Sequence, residues 1–486
     1  MAPVPYLPVS YLEANAAAAP ERPAVLDPER TVSFGELRER VHAAAGALRK
    51  QGVGEGHVVA LSLPNVWEYV ALELAVPLQG AVVMPLPLSL GQAERRWALD
   101  KADVRQLVDQ PAAERLCSAP FQGELQPPPP DPDRVVEIAL TSGSTGLPKL
   151  ASLDAGLKQA TFEAFTTRLE VTPDDRVLPM SPLTQGIGGM CLYCLRRGAS
   201  LVMLREPRFD PERTLRLAAE MRATLLVGVP TNVSRMLESP ALADVDLAAA
   251  RCTAVAGAPM PADVARDWEE RTGSRVCLFY GSMDAGQLAV GSPSDPQEKR
   301  WTTVGRPHDC AEVMITTEGE ICMRGPTVQR RYWGEDRGPF SADGWAHVGD
   351  LGHLDAEGYL HVTGRLKDIV IRGGTNINPH EVEAALRAHP AVVDVCVVGR
   401  PDRDLGERLQ AFAVARGPLT LDDFRRHLDA QGLARYKWPE FLELLDELPL
   451  SGPGKVDRRR LRDLAAQAAS RSSAQATSES SQPRSV

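Results

Sequence analysis

Nine consecutive residues hold the densest chemistry of the chain: Thr141-Ser-Gly-Ser-Thr-Gly-Leu-Pro-Lys149. Gly143 and Gly146 let the backbone turn tightly and come close to a ligand. Ser142, Ser144 and Thr145 offer hydroxyl donors to oxyanions, and Lys149 adds a mobile positive charge. Clustered backbone N–H groups, hydroxyls and a lysine behind a strand suit a polyphosphate. The apolar run Val135-Val-Glu-Ile-Ala-Leu140 reads as that strand. The spacing is not that of a Walker loop, which places four residues between its first glycine and Gly-Lys-Ser/Thr. Here Leu147-Pro148 separates Gly146 from the lysine. Alone, the stretch fits a flexible surface turn as well as a phosphate site.

The surrounding elements must hold such a loop. Ser33-Phe-Gly-Glu36 reads as a capping box opening a helix, with Leu37, Val41, Ala45 and Leu48 at helical spacing and Gly52 as its stop. Val58–Leu63 reads as a strand. Tyr69–Leu90 is the longest apolar run, but it contains Glu73, Gln79, Gly80 and the prolines Pro77, Pro85 and Pro87. A membrane span should be cleaner; the run reads as a buried helix, a turn at Gly80 and a strand. Further strands, Leu225–Pro230, Thr253–Pro259 and Val276–Tyr280, end in Gly/Pro turns, where open α/β sheets bind ligands. Alternating strands and helices predict a largely parallel sheet covered by helices. Gln126-Pro-Pro-Pro-Pro130 reads as a stiff spacer. Val304–Thr363 has short strands with Gly-rich turns, a small β subdomain. From Ile369 the pattern is a compact α+β unit of about 100 residues. In it Asn378 caps a helix opened by Pro379 and Glu381. Residues from Ala466 onward, rich in Ser, Ala and Gln, are expected to be disordered.

Composition narrows the classes. At 486 residues the chain exceeds one ordinary core. A net charge of −10 with no basic stripe disfavours a nucleic-acid partner. Eight scattered cysteines and no secretory signal point to reduced thiols and a cytoplasmic location. Cys191-Leu-Tyr-Cys194 lacks a second pair and has apolar neighbours, so it reads as structural.

Taken together, the motifs resemble those of the adenylate-forming superfamily of acyl- and aryl-CoA synthetases, adenylation domains and luciferases, over roughly residues 10 to 465. The resemblance implies an α/β fold: a large N-terminal domain of helix-covered sheets plus the small β subdomain (1–364), a smaller mobile α+β C-terminal domain (365–466) and a disordered tail (467–486). It implies ATP and Mg²⁺, with coenzyme A as co-substrate. Thr141–Lys149 matches the phosphate loop, with Thr145 taking part in catalysis. Gly257-Ala258-Pro259 matches the segment packed on adenine. Tyr280-Gly281-Ser282-Met283-Asp284 stands at the family's Tyr-Gly-x-Thr-Glu, so that Tyr280 stacks on adenine and Asp284 is catalytic and reaches the metal. Asp350 and Arg365 match the residues on the ribose. Lys367 falls at the hinge, Gly373 and Gly374 at the thiol channel, and Lys455 is the C-terminal catalytic lysine. Gln185, Gly186, Ile187, Gly188, Thr231 and Asn232 are candidates for the acid pocket.

The implied chemistry joins two anions, a carboxylate and the α-phosphate of ATP, so positive groups must neutralise charge in the transition state. Several positions depart from the pattern: Leu150 after the lysine, Met283 for threonine, Asp284 for glutamate, Gln185 near an aromatic or histidine position, Arg331 for glycine and Val348 for threonine. These bear on the acid more than on the nucleotide. The leading expectation is an acid–CoA ligase for an aryl or hydrophobic carboxylate. One alternative keeps adenylation and changes the acceptor, to a carrier-protein thiol or an amine, or turns to ATP-dependent diazotase chemistry on nitrite and an arylamine. Another is a non-catalytic ATP-binding homologue. The oligomeric state is not specified by the sequence.

Overall fold

The apolar runs form strands and helices at nearly the positions their spacing predicts in the computed structural model of the chain. It describes residues 8–480 except 122, 142–148, 206–208, 283–285, 336–337, 339–340, 342–343 and 452–454; at 8, 451, 455 and 472–480 it describes the backbone alone. The chain divides into two units: Met1–Thr316 with Ile321–Val348 and Leu354–His361, and Thr317–Glu320 with Gly349–His353 and Val362–Val486.

The larger unit contains strands β1 (Pro23–Asp27), β2 (Arg30–Ser33), β3 (Val58–Leu61), β4 (Val82–Pro85), β5 (Val104–Val108), β6 (Val135–Thr141), β7 (Lys149–Asp154), β8 (Arg176–Pro179), β9 (Ser200–Val202), β10 (Leu225–Gly228), β11 (Cys252–Val255), β12 (Arg275–Ser282), β13 (Gly286–Val290) and β14 (Arg306–Pro307). One sheet has the order β14-β13-β12-β11-β10-β8-β9-β1-β2. In it β12, β11, β10, β8, β9 and β1 run parallel, and β13, β14 and β2 are antiparallel to their neighbours. A second sheet has the order β17-β7-β6-β4-β3-β5, where β17 is Arg331–Tyr332. The hairpin β15 (Glu312–Ile315) and β16 (Glu320–Arg324) lies between β14 and β17 in sequence.

Both faces of the first sheet are covered, so its strands read as continuous apolar runs rather than alternating ones. Val177, Leu201, Val227 and Ala254 share one buried cluster with Val59, Leu61 and Val83 of the second sheet and with Phe34, Leu37, Val41, Phe162 and Phe165 from helices. Their neighbours Leu178, Val202, Leu226 and Val255 face a second cluster around the buried Trp268. That indole also donates to Thr253 Oγ1 at 2.9 Å, which settles its one polar atom inside the core.

Local signals explain the helix ends. Ser33 Oγ accepts from Glu36 N at 3.2 Å and starts the helix Phe34–Lys50, which stops before Gly52 at φ +80°. Glu36 does not return the bond of a capping box; it pairs with Arg30 instead. The Tyr69–Leu90 run becomes the helix Trp67–Ala75, a left-handed Gly80 and β4. Glu73 within it is buried and faces Lys158 at 3.8 Å. Burial, and then the neighbouring Glu137, push its carboxyl up to about 8. No helix among the described residues is long and apolar enough to cross a membrane.

The division between units passes through β18 (Ala346–Leu354) and β19 (Leu360–Arg365). The smaller unit then has β20 (Val370–Arg372), β21 (Thr375–Ile377), β22 (Val392–Asp402), β23 (Gly406–Ala415), β24 (Phe441–Leu444), β25 (Leu450–Ser451) and β26 (Lys455–Val456). Helix Pro379–Arg387 packs on β22 and is capped by Asn378, whose Oδ1 accepts from His380 N at 3.1 Å. The final helix runs from Arg458 to Ser480. It therefore continues through much of the segment whose composition suggests disorder. Alanines keep helix propensity high there, and Ser470 Oγ bonds back to Ala466 O at 3.0 Å instead of breaking the helix.

A charged cluster fastens the start of this unit. Asp368 is buried beside Arg462, Arg458 (3.7 Å) and His380 (3.8 Å), and Arg458 also reaches Glu383 at 2.6 Å. Burial opposes the charged form of Asp368, but these partners outweigh it and hold the carboxyl far below its usual range. For His380, burial and Arg458 pull the pKa down, while Asp368 and Glu383 raise it by more, so the net shift is upward. The folded state therefore holds the imidazole proton more tightly than the unfolded chain. The resulting stabilisation is complete below the unfolded value near ~6.5 and is lost as pH rises through the folded one. Thermal denaturation of the protein and of His380→Gln should show the melting temperatures furthest apart near pH 6 and converging as the pH rises. A gap that widens with pH would contradict this assignment.

Candidate functional site

Four parallel strands end along one edge. Their registers pair Leu178 with Leu226, Gly228 with Val255 and Val255 with Leu278, so the carboxyl ends of β8, β10, β11 and β12 lie side by side. In open α/β sheets this edge is the ligand-binding one. Gly257-Ala258-Pro259 leaves β11 there, exposed, with Gly257 at φ +89°. Tyr280, Gly281 and Ser282 end β12 beside it, half-buried or exposed. Met283 and Asp284 lie outside the described residues.

The acid-pocket candidates occupy the same edge. Gln185 precedes the short helix Gly186–Met190 that follows β8, and Thr231 and Asn232 follow β10. Gly188 is required by close packing: a Cβ there would lie 2.1 Å from Pro182 O. Asn232 is buried and spends its Oδ1 on Val229 N at 2.9 Å, capping the helix Pro230–Glu238. The structure thus gives Asn232 a capping role.

The phosphate-loop candidate joins β6 to β7, an antiparallel hairpin in which Thr141 faces Lys149. The loop residues Ser142, Gly143, Ser144, Thr145 and Gly146 fall outside the described residues. Both flanks are informative. Thr141 is buried, and its hydroxyl has no hydrogen-bond partner among the described residues. Lys149 is exposed, with Nζ 4.7 Å from the centroid of the Tyr332 ring and 3.5 Å from its hydroxyl.

Tyr332 belongs to a strap that local sequence patterns do not reveal. Val328 bridges Gly286 of β13, and Arg331 and Tyr332 pair with Ser152 and Ala151 of β7. Between them Gln329 Nε2 donates to Ser152 O at 2.9 Å. Three extended residues reach at most about 11 Å, so the strap holds the hairpin close to the end of β12. The contact at Gly286 is tight: its φ is +101°, and a Cβ would lie 2.0 Å from Thr327 O. Thr327 Oγ1 and Gln287 Oε1 are buried nearby in sequence and pairing, also without partners among the described residues. Orphaned buried polar atoms in a native protein call for water, an ion or a ligand.

In the smaller unit, Asp350 is buried and Arg365 Nε approaches its Oδ1 at 3.0 Å. Lys367 lies in the turn Leu366–Asp368, immediately before the anchored Asp368. Gly373 and Gly374 have φ +54° and +80° and form the two-residue hairpin turn between β20 and β21, where left-handed residues match the strand twist. The backbone of Lys455 pairs with Ser451 across the loop 452–454, which is outside the described residues. Cys191 and Cys194 are fully buried in the core, and burial raises both thiols well above their usual range, as a structural role requires.

Residues 12–333 match the AMP-binding enzyme family and residues 381–455 the AMP-binding enzyme C-terminal domain. The chain is 31% identical over 494 residues to 3-[(3aS,4S,7aS)-7a-methyl-1,5-dioxo-octahydro-1H-inden-4-yl]propanoyl:CoA ligase of Mycobacterium tuberculosis, covering 92% of this chain and 96% of that one. It is 33% identical over 480 residues to feruloyl-CoA synthase of an Amycolatopsis species, covering 92% and 97%. Among solved structures it is similar to the amide bond synthetase McbA of Marinactinospora thermotolerans, with a TM-score of 0.85, 27% identity and coverage of 94% and 100%. The chain belongs to the AMP-binding enzyme family. It is thus a member of the adenylate-forming superfamily and an enzyme of that AMP-forming ligase class.

The strap makes Gly286 the least replaceable glycine of this edge. Gly286→Ala should lower the melting temperature by more than Gly319→Ala, a position of similar positive φ (+84°) with nothing near its Cβ. Strain alone costs about 1 kcal/mol in both; the backbone clash adds to it only at Gly286. Equal shifts in thermal denaturation would mean that the strap can move aside.

Proposed function

We propose that this enzyme activates a carboxylic acid with ATP and passes the acyl group to a thiol, that of coenzyme A, with an aryl or hydrophobic acid as substrate. The supporting observation is that, within one unit, the Gly257–Pro259 segment and the Tyr280 strand end share one sheet edge, and the strap ties the β6–β7 hairpin of the second sheet to the strand that follows. Two relatives matched over nearly their whole length are named as CoA ligases of ring-bearing or aromatic acids.

In the first step a carboxylate oxygen attacks the α-phosphorus of ATP, and pyrophosphate leaves. Lys149 and the hydroxyls of Ser142, Ser144 and Thr145 bind the phosphates, and the orphaned Thr141 hydroxyl finds a partner there. Tyr280 and Gly257–Pro259 hold adenine, with Gly281 and Ser282 beside them; Asp350 and Arg365 hold the ribose. A magnesium ion bound with the triphosphate, with Asp284 as its protein ligand, would neutralise phosphate charge. Lys455 steadies the carboxylate and the α-phosphate as their charges approach. In the second step the thiol sulfur attacks the acyl carbonyl, AMP leaves with the carboxylate oxygen, and the thiol proton passes to solvent.

The domain division behind this reading sets residues 1–364 as the adenylating body and 365–466 as a part that turns about Lys367. Such a turn exchanges the Lys455 loop for the Gly373–Gly374 hairpin. Asp368, clamped by Arg462 and Arg458, supplies a rigid end for a hinge. Eight free cysteines fit action in a reducing cytoplasm. The likeness to an amide bond synthetase favours an amine as the second candidate acceptor.

Lys455→Ala should abolish acid-dependent exchange of pyrophosphate into ATP while leaving thiolysis of a supplied acyl-adenylate within a fewfold of the unaltered enzyme. Loss of both steps to the same degree would argue against the turn. Supplying an amine in place of coenzyme A separates the two acceptors.

A further inference from the structure

The reaction above needs an exposed lysine to be in place when ATP arrives, and one side chain of the strap bears on that. Tyr332 pairs with Ala151 in the antiparallel β17–β7 ladder, and Lys149 stands two residues before Ala151, on the same face of β7. Diagonal partners of this kind lie about 7–8 Å apart at the backbone, within reach of a ring and a long side chain. The lysine closes that gap. Its Nζ is 4.7 Å from the ring centroid and 3.5 Å from the phenol oxygen, displaced toward the hydroxyl end of the ring.

The two partners differ in freedom. The Tyr332 side chain is buried at 8% exposure, and its backbone is fixed on both sides. Trp333 N donates to Leu150 O at 2.7 Å, and Arg331 Nη2 donates to Asp133 O at 2.9 Å. Lys149 is exposed on a stem of many rotamers, and ordering such a side chain costs entropy whenever a ligand requires it. A fixed ring beside the ammonium removes part of that cost before the ligand binds. The choice of partner matters as well. A carboxylate would neutralise the ammonium and compete with a phosphate, and among the described residues Lys149 forms no ion pair with one. A ring face attracts the cation without cancelling its charge. The ring and hydroxyl take one side of an ammonium that has three N–H donors, so two are left for phosphate oxygens. The contact therefore persists when a phosphate binds, and does not have to be broken first.

We propose that Tyr332 is a positioning residue for ATP, its ring holding the Lys149 ammonium, charge intact, ready for the triphosphate. This rests on the reading above, in which Lys149 binds phosphate. A lysine correctly placed for only a fraction of the time weakens the apparent affinity by that fraction.

The experiment titrates the enzyme, Tyr332→Phe, Tyr332→Met and Tyr332→Leu with ATP and Mg²⁺ by calorimetry. It also follows trace acetylation of Lys149 by peptide mass spectrometry, with the remaining lysines as internal reference. Tyr332→Phe keeps the ring face and should bind ATP within about twofold of the unaltered enzyme. Tyr332→Met and Tyr332→Leu lack a ring and should bind it about fivefold more weakly. In both, Lys149 should be acetylated severalfold faster in the absence of ATP, an effect confined to one lysine that a merely structural role would not produce. Methionine adapts to irregular gaps, so it decides the outcome alone if the leucine variant fails to fold. Unchanged or tighter ATP binding in the ring-less variants, unchanged acetylation of Lys149, or a loss in Tyr332→Phe as large as theirs overturns the inference and leaves the acid-activating reading intact. If saturating ATP fails to slow acetylation of Lys149 in the unaltered enzyme, the assignment of that lysine to the phosphates falls, and this inference with it.

Discussion

The parallel register of β8, β10, β11 and β12 is the constraint on which the rest depends. Parallel neighbours cannot be joined by tight turns; each needs a crossover, here built from helices such as Pro230–Glu238 and Ala262–Thr272. Once the strands pair, every loop that leaves a carboxyl end emerges on the same edge. Residues as distant in sequence as Gln185, Thr231, Gly257 and Tyr280 become neighbours along that edge without any contact among them having to be selected individually. The apolar cover on both faces pins the register, because a slip by one residue would exchange the faces on which Val177 and Leu178, or Ala254 and Val255, are buried.

A second sheet contributes the β6–β7 hairpin, and the strap from Thr327 to Tyr332 ties it to the first. The tie is made of backbone pairing at both ends and of the buried Gln329 amide bonded to Ser152 O, and at Gly286 only a missing Cβ admits Thr327 O. The smaller unit is organised differently. Its first residues after Lys367 are fixed by buried charge rather than by a sheet edge, with Asp368, His380, Glu383 and Arg458 all mutually compensated. Breaking one partner of such a cluster leaves a buried charge exposed to none.

Much of this was legible from local patterns. The caps at Ser33 and Asn378, the left-handed turns at Gly52, Gly80 and Gly373–Gly374, and the strand ends at Gly228 and Gly257 all follow from residue chemistry within a few positions. What stayed hidden depends on long-range pairing. The strand Lys149–Asp154 has no strong periodicity of its own and forms by returning along β6. Thr327-Val-Gln329 carries no local signal of its role, because its partners are β13 and β7, more than 35 positions away. Asn232 resembled a pocket residue by position, but a cap competes for its carbonyl.

The central claim is that a carboxylate is joined to AMP on this edge before any acceptor attacks. The most direct test is to supply an accepted acid labelled with ¹⁸O in both carboxylate oxygens, together with ATP and coenzyme A, and to weigh the AMP by mass spectrometry. The account predicts one ¹⁸O in each AMP formed, because the bond made to the α-phosphorus keeps its oxygen when the thiol displaces the acyl group. Unlabelled AMP, or ADP and phosphate in its place, would contradict it.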